Sequence, residues 1–361
     1  MYKFSDVFEF QKKSKIKAGD GQKSGLFPFY TSSAELSKYV DNALFDGESL
    51  VFGTGGNASV HFADSKFSVS TDCLVAQPKT KDINAKFVYH YLFGNIRILE
   101  EGFKGAGLKH ISKGYISDIN LPKVSRSKQD KIVSVLDHAD SLRQKRKEQL
   151  ALLDDYLKSV FSDMFGDPIE GKKWGRKPLE KVADVYRGRF SPRPRNDPSY
   201  YNGDYPFIQT GDISNSEYRL SRYTQTLNDR GIKVSKCLPK GTIAIAIVGA
   251  TIGATTILGI DAYAPDSVIG ITVDEEKASN RYIEYVLRFY RPIFVTRAPE
   301  TARANINLDT LRPLLLQIPP IELQNKFAFI MDEVEQTKQK MRASLDEMDN
   351  HFNALMQRYF G

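Results

Sequence analysis

Two stretches of the chain place apolar residues at alternating spacings of three and four, the pattern of a long helix that buries one face along its length. The first stretch covers residues 129–166 and the second covers residues 324–361. Neither contains glycine or proline before its closing Phe-Gly pair, where glycine is a natural helix stop. We predict two long helices with buried positions Leu136, Ala139, Arg143, Arg146, Leu150, Leu153, Leu157, Val160 and Met164 in the first, and Met331, Val334, Lys338, Met341, Leu345, Met348, Phe352, Leu355 and Tyr359 in the second.

These two helical stretches are copies of one another. Gln129 and Gln324 begin them, and the difference of 195 between these two positions is kept without a gap to the end of both stretches. Upstream, residues 87–92 match residues 282–287 at the same offset. A register kept over such lengths indicates a tandem duplication. Helix positions that carry the same residue in both copies include, in the numbers of the first, Gln129, Asp137, Lys145, Leu150, Asp154, Phe165 and Gly166.

Nearer the start of each half the offset becomes 178. Asp6-Val7 then meets Asp184-Val185, and Pro28-Phe29 meets Pro206-Phe207. The change of offset predicts an extra loop in the second half, around residues 212–230.

Two matched apolar seams in one chain most simply bury each other as an antiparallel coiled coil. The alternative is that each helix packs only on its own globular domain. A helix of this length spans roughly 50 Å at ~1.5 Å per residue, comparable to about 15 base pairs of DNA at ~3.4 Å each.

The remaining residues predict strand-rich domains with one or two helices each. Residues 50–52, 242–248 and 267–273 are apolar and β-branched, as in buried strands, and residues 280–290 predict an amphipathic helix. The predicted fold class is α+β, with two α/β domains separated by two long helices and an internal pseudo-twofold. The predicted segments are domain 1 at 1–122, a long helix at 123–166, a linker at 167–173, domain 2 at 174–319 and a long helix at 320–361.

Charge and cysteine content narrow the class of partner. The chain has 51 basic and 44 acidic residues and a formal net charge of +7. This balance suits a nucleic-acid partner, although it also suits many other basic proteins. Cys73 and Cys237 lie far apart, there is no secretory leader pattern, and no apolar run is long enough to span a bilayer. We expect a cytoplasmic protein.

The sequence predicts neither a catalytic residue nor a metal site. Pro265-Asp266 followed by Glu275-Glu276-Lys277 is superficially like a metal-dependent nuclease motif, but its second part falls in a polar turn. The segment 318–321 lacks the polar and aromatic residues of a methyltransferase motif. The glycines at 53–56 lack the lysine or acidic partner of a phosphate-binding loop.

At this point the chain resembles the specificity subunits of Type I restriction-modification systems over nearly its whole length. The resemblance rests on the order domain, helix, domain, helix and on local motifs. Leu121-Pro122-Lys123 and Ile318-Pro319-Pro320 lead into the helices, and Phe165-Gly166-Asp167-Pro168 closes the first helix. Trp174 with Pro178-Leu179, and later residues 206–213, look like the start of a recognition domain in that family.

The resemblance implies a division of labour. Each target-recognition domain would read one half of a bipartite target in double-stranded DNA, and the halves would differ because the domains differ. The helices would set the gap and dock two DNA-adenine methyltransferase subunits, and restriction subunits with translocase activity would join them. S-adenosylmethionine, ATP and Mg²⁺ would be bound by those partners, so no cofactor is expected here. The first domain departs from the family by lacking the tryptophan at its opening. The alternative function is a coiled-coil scaffold without sequence-specific DNA binding.

Candidate DNA contacts follow from side-chain chemistry, because arginine and lysine pair with phosphates while arginine and amide side chains suit base edges. A solvated surface is the alternative for each of them. In the second half the candidates are Arg187, Arg189, Arg193, Arg195, Gln209, Thr210, Arg303, Asn305 and Asn307. In the first half they are Lys12, Lys13, Lys15, Lys104, Lys109 and His110.

Overall fold

A computed structural model of the chain describes residues 1–105, 107–216, 218–296 and 306–361. The chain forms two compact units. The first unit comprises Met1–Glu148 and Arg342–Gly361, and the second comprises Gln149–Met341. Each long helix therefore contributes one part to each unit. The five-segment division predicted from the sequence stays a prediction.

The first unit combines small sheets with short helices and parts of both long helices. Its elements are β1 (Tyr2–Lys3), α1 (Phe4–Val7), β2 (Phe8–Phe10), β3 (Phe27–Tyr30), β4 (Tyr39–Val40), β5 (Ser49–Gly53), β6 (Ser59–Ala63), β7 (Ser68–Val69), β8 (Cys73–Pro78), α2 (Ala85–Gly94), α3 (Arg97–Glu100), β9 (Phe103–Lys104), β10 (His110–Ile111), α4 (Lys113–Ser117), β11 (Asn120–Leu121) and the start of α5 (Arg126–Phe165).

The second unit repeats this plan with additions. Its elements are β12 (Arg176–Pro178), β13 (Ala183–Arg187), β14 (Tyr201–Phe207), α6 (Thr210–Asn215), β15 (Arg219–Leu220), β16 (Gln225–Leu227), α7 (Asp229–Lys233), β17 (Lys236–Leu238), β18 (Ile243–Ala246), β19 (Thr255–Leu258), β20 (Ala262–Ala264), β21 (Val268–Val273), α8 (Asn280–Thr296), α9 (Leu308–Leu311), β22 (Leu315–Gln317) and the start of α10 (Ile321–Phe360).

Two sheets recur in both units. One has the order β2-β8-β5-β6 in the first unit and β13-β21-β18-β19-β15 in the second. The other has the order β4-β3-β7 in the first unit and β16-β14-β20-β17 in the second. Buried apolar strands such as β5 and β18 form the core beneath helices α2 and α8. The predicted α+β class with an internal repeat is confirmed.

Strand registers test the matched positions one by one. Helices α5 and α10 keep the offset of 195 at both ends, and so do β8 and β21. Pro28-Phe29 and Pro206-Phe207 also correspond, because Phe29 pairs with Ser68 and Phe207 pairs with Tyr263.

One predicted match is wrong. Phe10 pairs with Ala76, and Val185 pairs with Ile271, the counterpart of Ala76. Val185 therefore corresponds to Phe10, not to Val7. The added residues of the second unit also form more than one loop, since α6 and β15 come before β16 while α7 and β17 come after it.

The long helices pair with each other in both units. In the first unit Leu136 of α5 shares a buried cluster with Phe352 and Met356 of α10. In the second unit Phe161 of α5 shares one with Phe327 of α10. Both clusters also contain residues of the adjoining sheet and helix. Each helix therefore packs on its partner and on a globular domain at once, and the predicted antiparallel pairing is confirmed.

Polar contacts between the globular domains and the long helices are duplicated as well. The Gln129 side chain accepts a hydrogen bond from the Asn84 backbone at 2.8 Å, and Gln324 accepts one from the Ser279 backbone at 2.9 Å. Asp137 pairs with Lys86 at 2.8 Å, and the matching Asp332 pairs with Arg281. These contacts explain why Gln129 and Asp137 recur in the second copy, and an ion pair between the long helices explains the same for Asp154.

Among the described residues, no helix combines the length and the apolar character needed to cross a membrane.

Candidate nucleic-acid interface

The arginine-rich segment after β13 gathers around a single carboxylate. Arg195 Nη2 donates to both carboxylate oxygens of Asp266 at 2.6 and 2.7 Å, and Arg193 Nη2 lies 3.8 Å from the same group. Arg187 Nε donates to the Asp266 backbone carbonyl at 2.5 Å. Three exposed guanidinium groups against one carboxylate leave a net positive surface with a fixed arrangement.

Arg189 is held apart from this group. Its guanidinium donates to the Ser235 carbonyl at 3.1 Å, next to β17. The structure therefore brings together Arg187, Arg193 and Arg195, while Arg189 faces the neighbouring strand. All four remain exposed.

The role of Asp266 also bears on the nuclease-like motif. Its carboxylate accepts two hydrogen bonds from the Arg195 guanidinium. Within the described ranges, no group of histidine, cysteine, aspartate and glutamate has the arrangement of a metal site.

Gln209 and Thr210 lie where β14 ends and α6 begins. Gln209 Nε2 donates to Gln225 Oε1 at 3.2 Å, which joins two side chains on neighbouring strand ends. The Asp212 carboxylate accepts the Gln209 backbone N–H at 2.7 Å and the Thr224 hydroxyl at 3.3 Å. Thr210 is half-buried in the first turn of α6. Asp212, itself 8% exposed, therefore fixes the two segments that carry the glutamines.

An open cavity of about 570 Å³ lies between the arginine segment and these glutamines. Arg195, Gln209 and Gln225 line it together with aromatic side chains. Burial raises the pKa of the Tyr201 phenol in its wall, and this hydroxyl donates to the Arg195 carbonyl. The basic segment and the amide pair thus belong to one concave site.

The third predicted group in the second half is only partly described. Arg303 and Asn305 lie outside the described residues. Asn307 caps helix α9, where its side-chain oxygen accepts the Thr310 backbone N–H and the Thr310 hydroxyl, each at 2.9 Å. This cap accounts for an asparagine at position 307 and leaves only its amide NH₂ for a base.

In the first unit, Lys12, Lys13 and Lys15 are exposed on the segment that follows β2. The segment is fixed by its backbone, because the Thr71 N–H donates to the Ile16 carbonyl at 2.8 Å. Strand β2 corresponds to β13, and each lies at the edge of its sheet. The lysine segment at the end of β2 is therefore equivalent in position to the arginine segment at the end of β13. The two basic patches are equivalent in position although their sequences differ.

Lys104 and His110 face each other across the strand pair β9 and β10, and Lys109 is exposed beside them. Thr54 ties this hairpin to the rest of the unit. Its carbonyl accepts the Ile111 N–H and lies 3.1 Å from His110 Nδ1, and its own N–H donates to the Asp72 carbonyl at 2.8 Å. Asp72 adjoins Thr71, which holds the lysine segment. The first unit therefore collects all its predicted contacts around the turn at residues 70–72.

Several residues of the second-unit cavity are not among the contacts that the sequence predicts. Gln225 and Tyr223 became part of it only through the pairing of β16 with β14, which places Gln225 opposite Phe207. The sequence singles out Asp266 only as part of the nuclease-like pattern. The cluster of arginines at 187–195 is the sequence signal that could have indicated Asp266, because a carboxylate nearby is needed to hold such a cluster in one arrangement.

Comparisons with known proteins agree over most of the chain. A family model described as the Type I restriction modification DNA specificity domain matches residues 1–152 and 171–347. A Haemophilus influenzae protein assigned as a type I restriction enzyme specificity subunit is 25% identical over 323 residues, which cover 86% of this chain and 81% of that protein. The EcoDI specificity subunit of Escherichia coli is 28% identical over 144 residues, which cover 40% of this chain and 32% of that protein.

Solved structures show the same fold. The S subunit of a Type I restriction-modification system from M. genitalium matches with a TM-score of 0.65 at 14% identity, covering 100% of this chain and 95% of that one. A chain from a structure of the type I R-M system, described for complex assembly and conformational transition, matches with a TM-score of 0.58 at 16% identity, covering 99% and 96%.

Proposed function

Because the chain belongs to the family of Type I restriction-modification DNA specificity domains, we propose that it is the subunit that reads a bipartite, asymmetric target in double-stranded DNA. Each unit supplies one reader. The readers share a fold and differ in the residues at their basic patches, so the two half-sites differ in sequence.

The observation that carries this proposal is the equivalent placement of the two basic segments. Lysines at positions 12, 13 and 15 follow the edge strand β2 in the first unit, and in the second unit Arg187 ends the equivalent edge strand β13 while Arg193 and Arg195 follow it. Lysine at such a place contacts phosphates as a point charge, whereas arginine can also read guanine edges with two hydrogen bonds. A duplicated fold with unlike basic residues at one position is what two different DNA readers require.

The proposal includes partner subunits. Helix α5 carries exposed apolar side chains that its own unit does not cover, namely Val135 and Leu142 in the first unit, 41% and 42% exposed, and Leu152 and Tyr156 in the second, 64% and 50% exposed. Large exposed apolar side chains on one helix favour a protein partner. We assign them to two DNA-adenine methyltransferase subunits, with restriction subunits joining the assembly, and the long helices set the gap between the half-sites.

In this proposal the chain itself catalyses nothing and works in the cytoplasm. S-adenosylmethionine, ATP and Mg²⁺ belong to the partner subunits. The chain contributes the choice of DNA sequence and the placing of the methyltransferases on it.

The experiment is to express the methyltransferase subunits of the source organism with and without this chain and to map methylated adenines by long-read sequencing. The proposal predicts a two-part motif with unlike halves that appears only when the chain is present. Methylation that is independent of the chain, or confined to one contiguous motif, would contradict it. Salt dependence separates this function from that of a coiled-coil scaffold. A specificity subunit should lose DNA affinity steeply as the salt concentration rises, whereas a scaffold should bind DNA weakly and with little dependence on salt.

A further inference from the structure

The cavity of the second unit is built as a recess with apolar and aromatic walls. Phe190, Tyr201 and Phe207 pack against one another, with ring centroids 5.1 to 6.1 Å apart. Phe190 and Phe207 are 3% and 1% exposed, so they form the base of the recess. Tyr223, which is 40% exposed, stands at its edge. The volume of about 570 Å³ lies within the range of roughly 300–1,000 Å³ of small-molecule pockets in proteins.

Hydrogen-bonding groups line the same recess. The Gln209–Gln225 bond uses one N–H of Gln209 and the oxygen of Gln225. Among the described residues, the Gln225 amide NH₂ makes no other hydrogen bond, while the Gln209 side-chain oxygen faces the backbone N–H of Asp212 in the capping box at the start of α6. An amide oxygen has two lone pairs, so a donor and one remaining acceptor position lie side by side, and a nucleobase edge presents the complementary pair. Asp212 accepts the Gln209 backbone N–H on one side and the Thr224 hydroxyl on the other, so the two segments that carry the amides are held together before any ligand arrives.

The wall of the recess carries a basic group. This group is the guanidinium of Arg195, which is oriented by both carboxylate oxygens of Asp266. A cation beside an aromatic recess with amide groups matches a nucleotide, whose phosphate and base need these two environments.

The shape of the site decides how a base would reach it. Protein groups that read base edges in a duplex must project into a groove about 12 Å wide. The glutamines and aromatic rings of this site instead line a recess, so the ligand must project into the protein. We propose that the second unit accepts one nucleobase that is unstacked from the DNA target, with Tyr223 at its face and the Gln209–Gln225 pair at its edge. This inference rests on the proposed function, and it assigns this base to the present chain rather than to the methyltransferase.

The test uses the complete complex of this chain with its methyltransferase subunits, bound to its mapped target. 2-Aminopurine, whose fluorescence rises on unstacking, replaces one base at a time across the half-site of the second unit. The inference predicts a rise at one position besides the adenine that the methyltransferase must itself extrude. Tyr223→Ala should abolish the extra fluorescence rise and weaken DNA binding on the order of tenfold, the usual effect of losing one base stack. Tyr223→Phe, which keeps the aromatic ring, should keep the extra rise and the wild-type affinity.

Control variants separate the cavity from the fold. Gln225→Ala should lower the extra signal, and Asn215→Ala, on the exposed side of nearby α6, should leave it unchanged. A signal confined to the methylated adenine would overturn the inference, as would an extra signal that survives Tyr223→Ala and Gln225→Ala. Binding of free deoxynucleotide in a complex without that extra signal would overturn it in favour of a small-molecule site.

Failure of the two proposals can be told apart. A wild-type complex that methylates its two-part motif but shows no extra unstacked base refutes only this inference. A complex that shows no two-part motif refutes the proposed function and this inference with it.

Discussion

In the first unit, Arg143 Nε of helix α5 lies 2.5 Å from Asp349 Oδ1 of helix α10. The second unit contains the matching contact, because Lys338 Nζ of α10 lies 2.7 Å from Asp154 Oδ1 of α5. Arg143 and Lys338 are 195 positions apart, as are Asp154 and Asp349. The polar interruption of each apolar seam is thus one half of an ion pair, and such pairs select one register of a helix pair over others.

We predict that reversing one charge of this pair destabilises the first unit and that reversing both restores part of the loss, because Arg143 also contacts Asp140 and the Phe352 ring. Arg143→Asp would place two carboxylates together in a contact whose side chains are only 18% and 36% exposed. The expected loss is about 1–2 kcal/mol, between the values for exposed and buried pairs. Urea unfolding of Arg143→Asp and of the double variant Arg143→Asp with Asp349→Arg measures it. Lys158→Ala, which removes an ion pair exposed on both sides, is the control with no measurable change expected.

Neutralising Asp266 should strengthen DNA binding without sequence preference. In Asp266→Asn the guanidinium of Arg195 loses its carboxylate and becomes available to a phosphate. Each added phosphate contact steepens the slope of log K against log salt by about 0.9. Titration of a non-target duplex at several salt concentrations measures this slope. An unchanged slope would mean that Arg195 does not approach the DNA backbone.

Replacing Lys12, Lys13 and Lys15 by glutamine should weaken binding to every duplex by a similar factor. These side chains are exposed on a fixed backbone segment, and phosphate contacts carry no sequence information. The slope of log K against log salt should fall by about 0.9 for each lysine that contacts a phosphate. Lys145→Gln on helix α5 serves as the control outside the patch. A change in the methylated motif instead of in its affinity would contradict a phosphate role.

The pH dependence of the first unit should reflect His90. Burial lowers the pKa of this imidazole below its ordinary 6.5, and only a partial opposing effect comes from Asp137, 3.2 Å from Nε2. The unfolded chain therefore takes up a proton at a higher pH than the folded chain does. Stability contributed by neutral His90 is complete above pH 6.5 and is lost as pH falls from there toward the lowered pKa.

Thermal unfolding at about pH 7 and about pH 5, spanning the ordinary histidine pKa, checks this sign. His90→Gln should lose less stability than the wild type on acidification, while His351→Gln, exposed on α10, should behave like the wild type. Equal losses in the wild type and His90→Gln would rule out the assignment.

The fold was largely predictable because both halves of the chain show the same spacing of apolar residues and match each other at a constant offset of 195. Both long helices, the buried strands near residues 50, 245 and 270, and the correspondence of Phe29 with Phe207 followed from the sequence. The first strand did not, because the offset between Phe10 and Val185 is 175 instead of the predicted 178, and so short a segment carries no signal that separates the two.

The site was less predictable than the fold. Basic and amide side chains could be chosen by their chemistry, but their grouping depends on contacts between distant residues. Asp266 lies 71 positions from Arg195 and fixes it with two hydrogen bonds. The sequence predicts Asn307 as a contact because of its amide group, whose oxygen caps helix α9 in the structure. Which amide is available to a ligand is decided by local backbone geometry, which composition does not reveal.

The central claim is that two separate readers share one polypeptide. Exchange of residues 174–318 for the corresponding domain of another family member, followed by mapping of methylated adenines, tests it directly. We expect one half of the methylated motif to change while the other half stays the same. A motif that changes in both halves, or in neither, would contradict it.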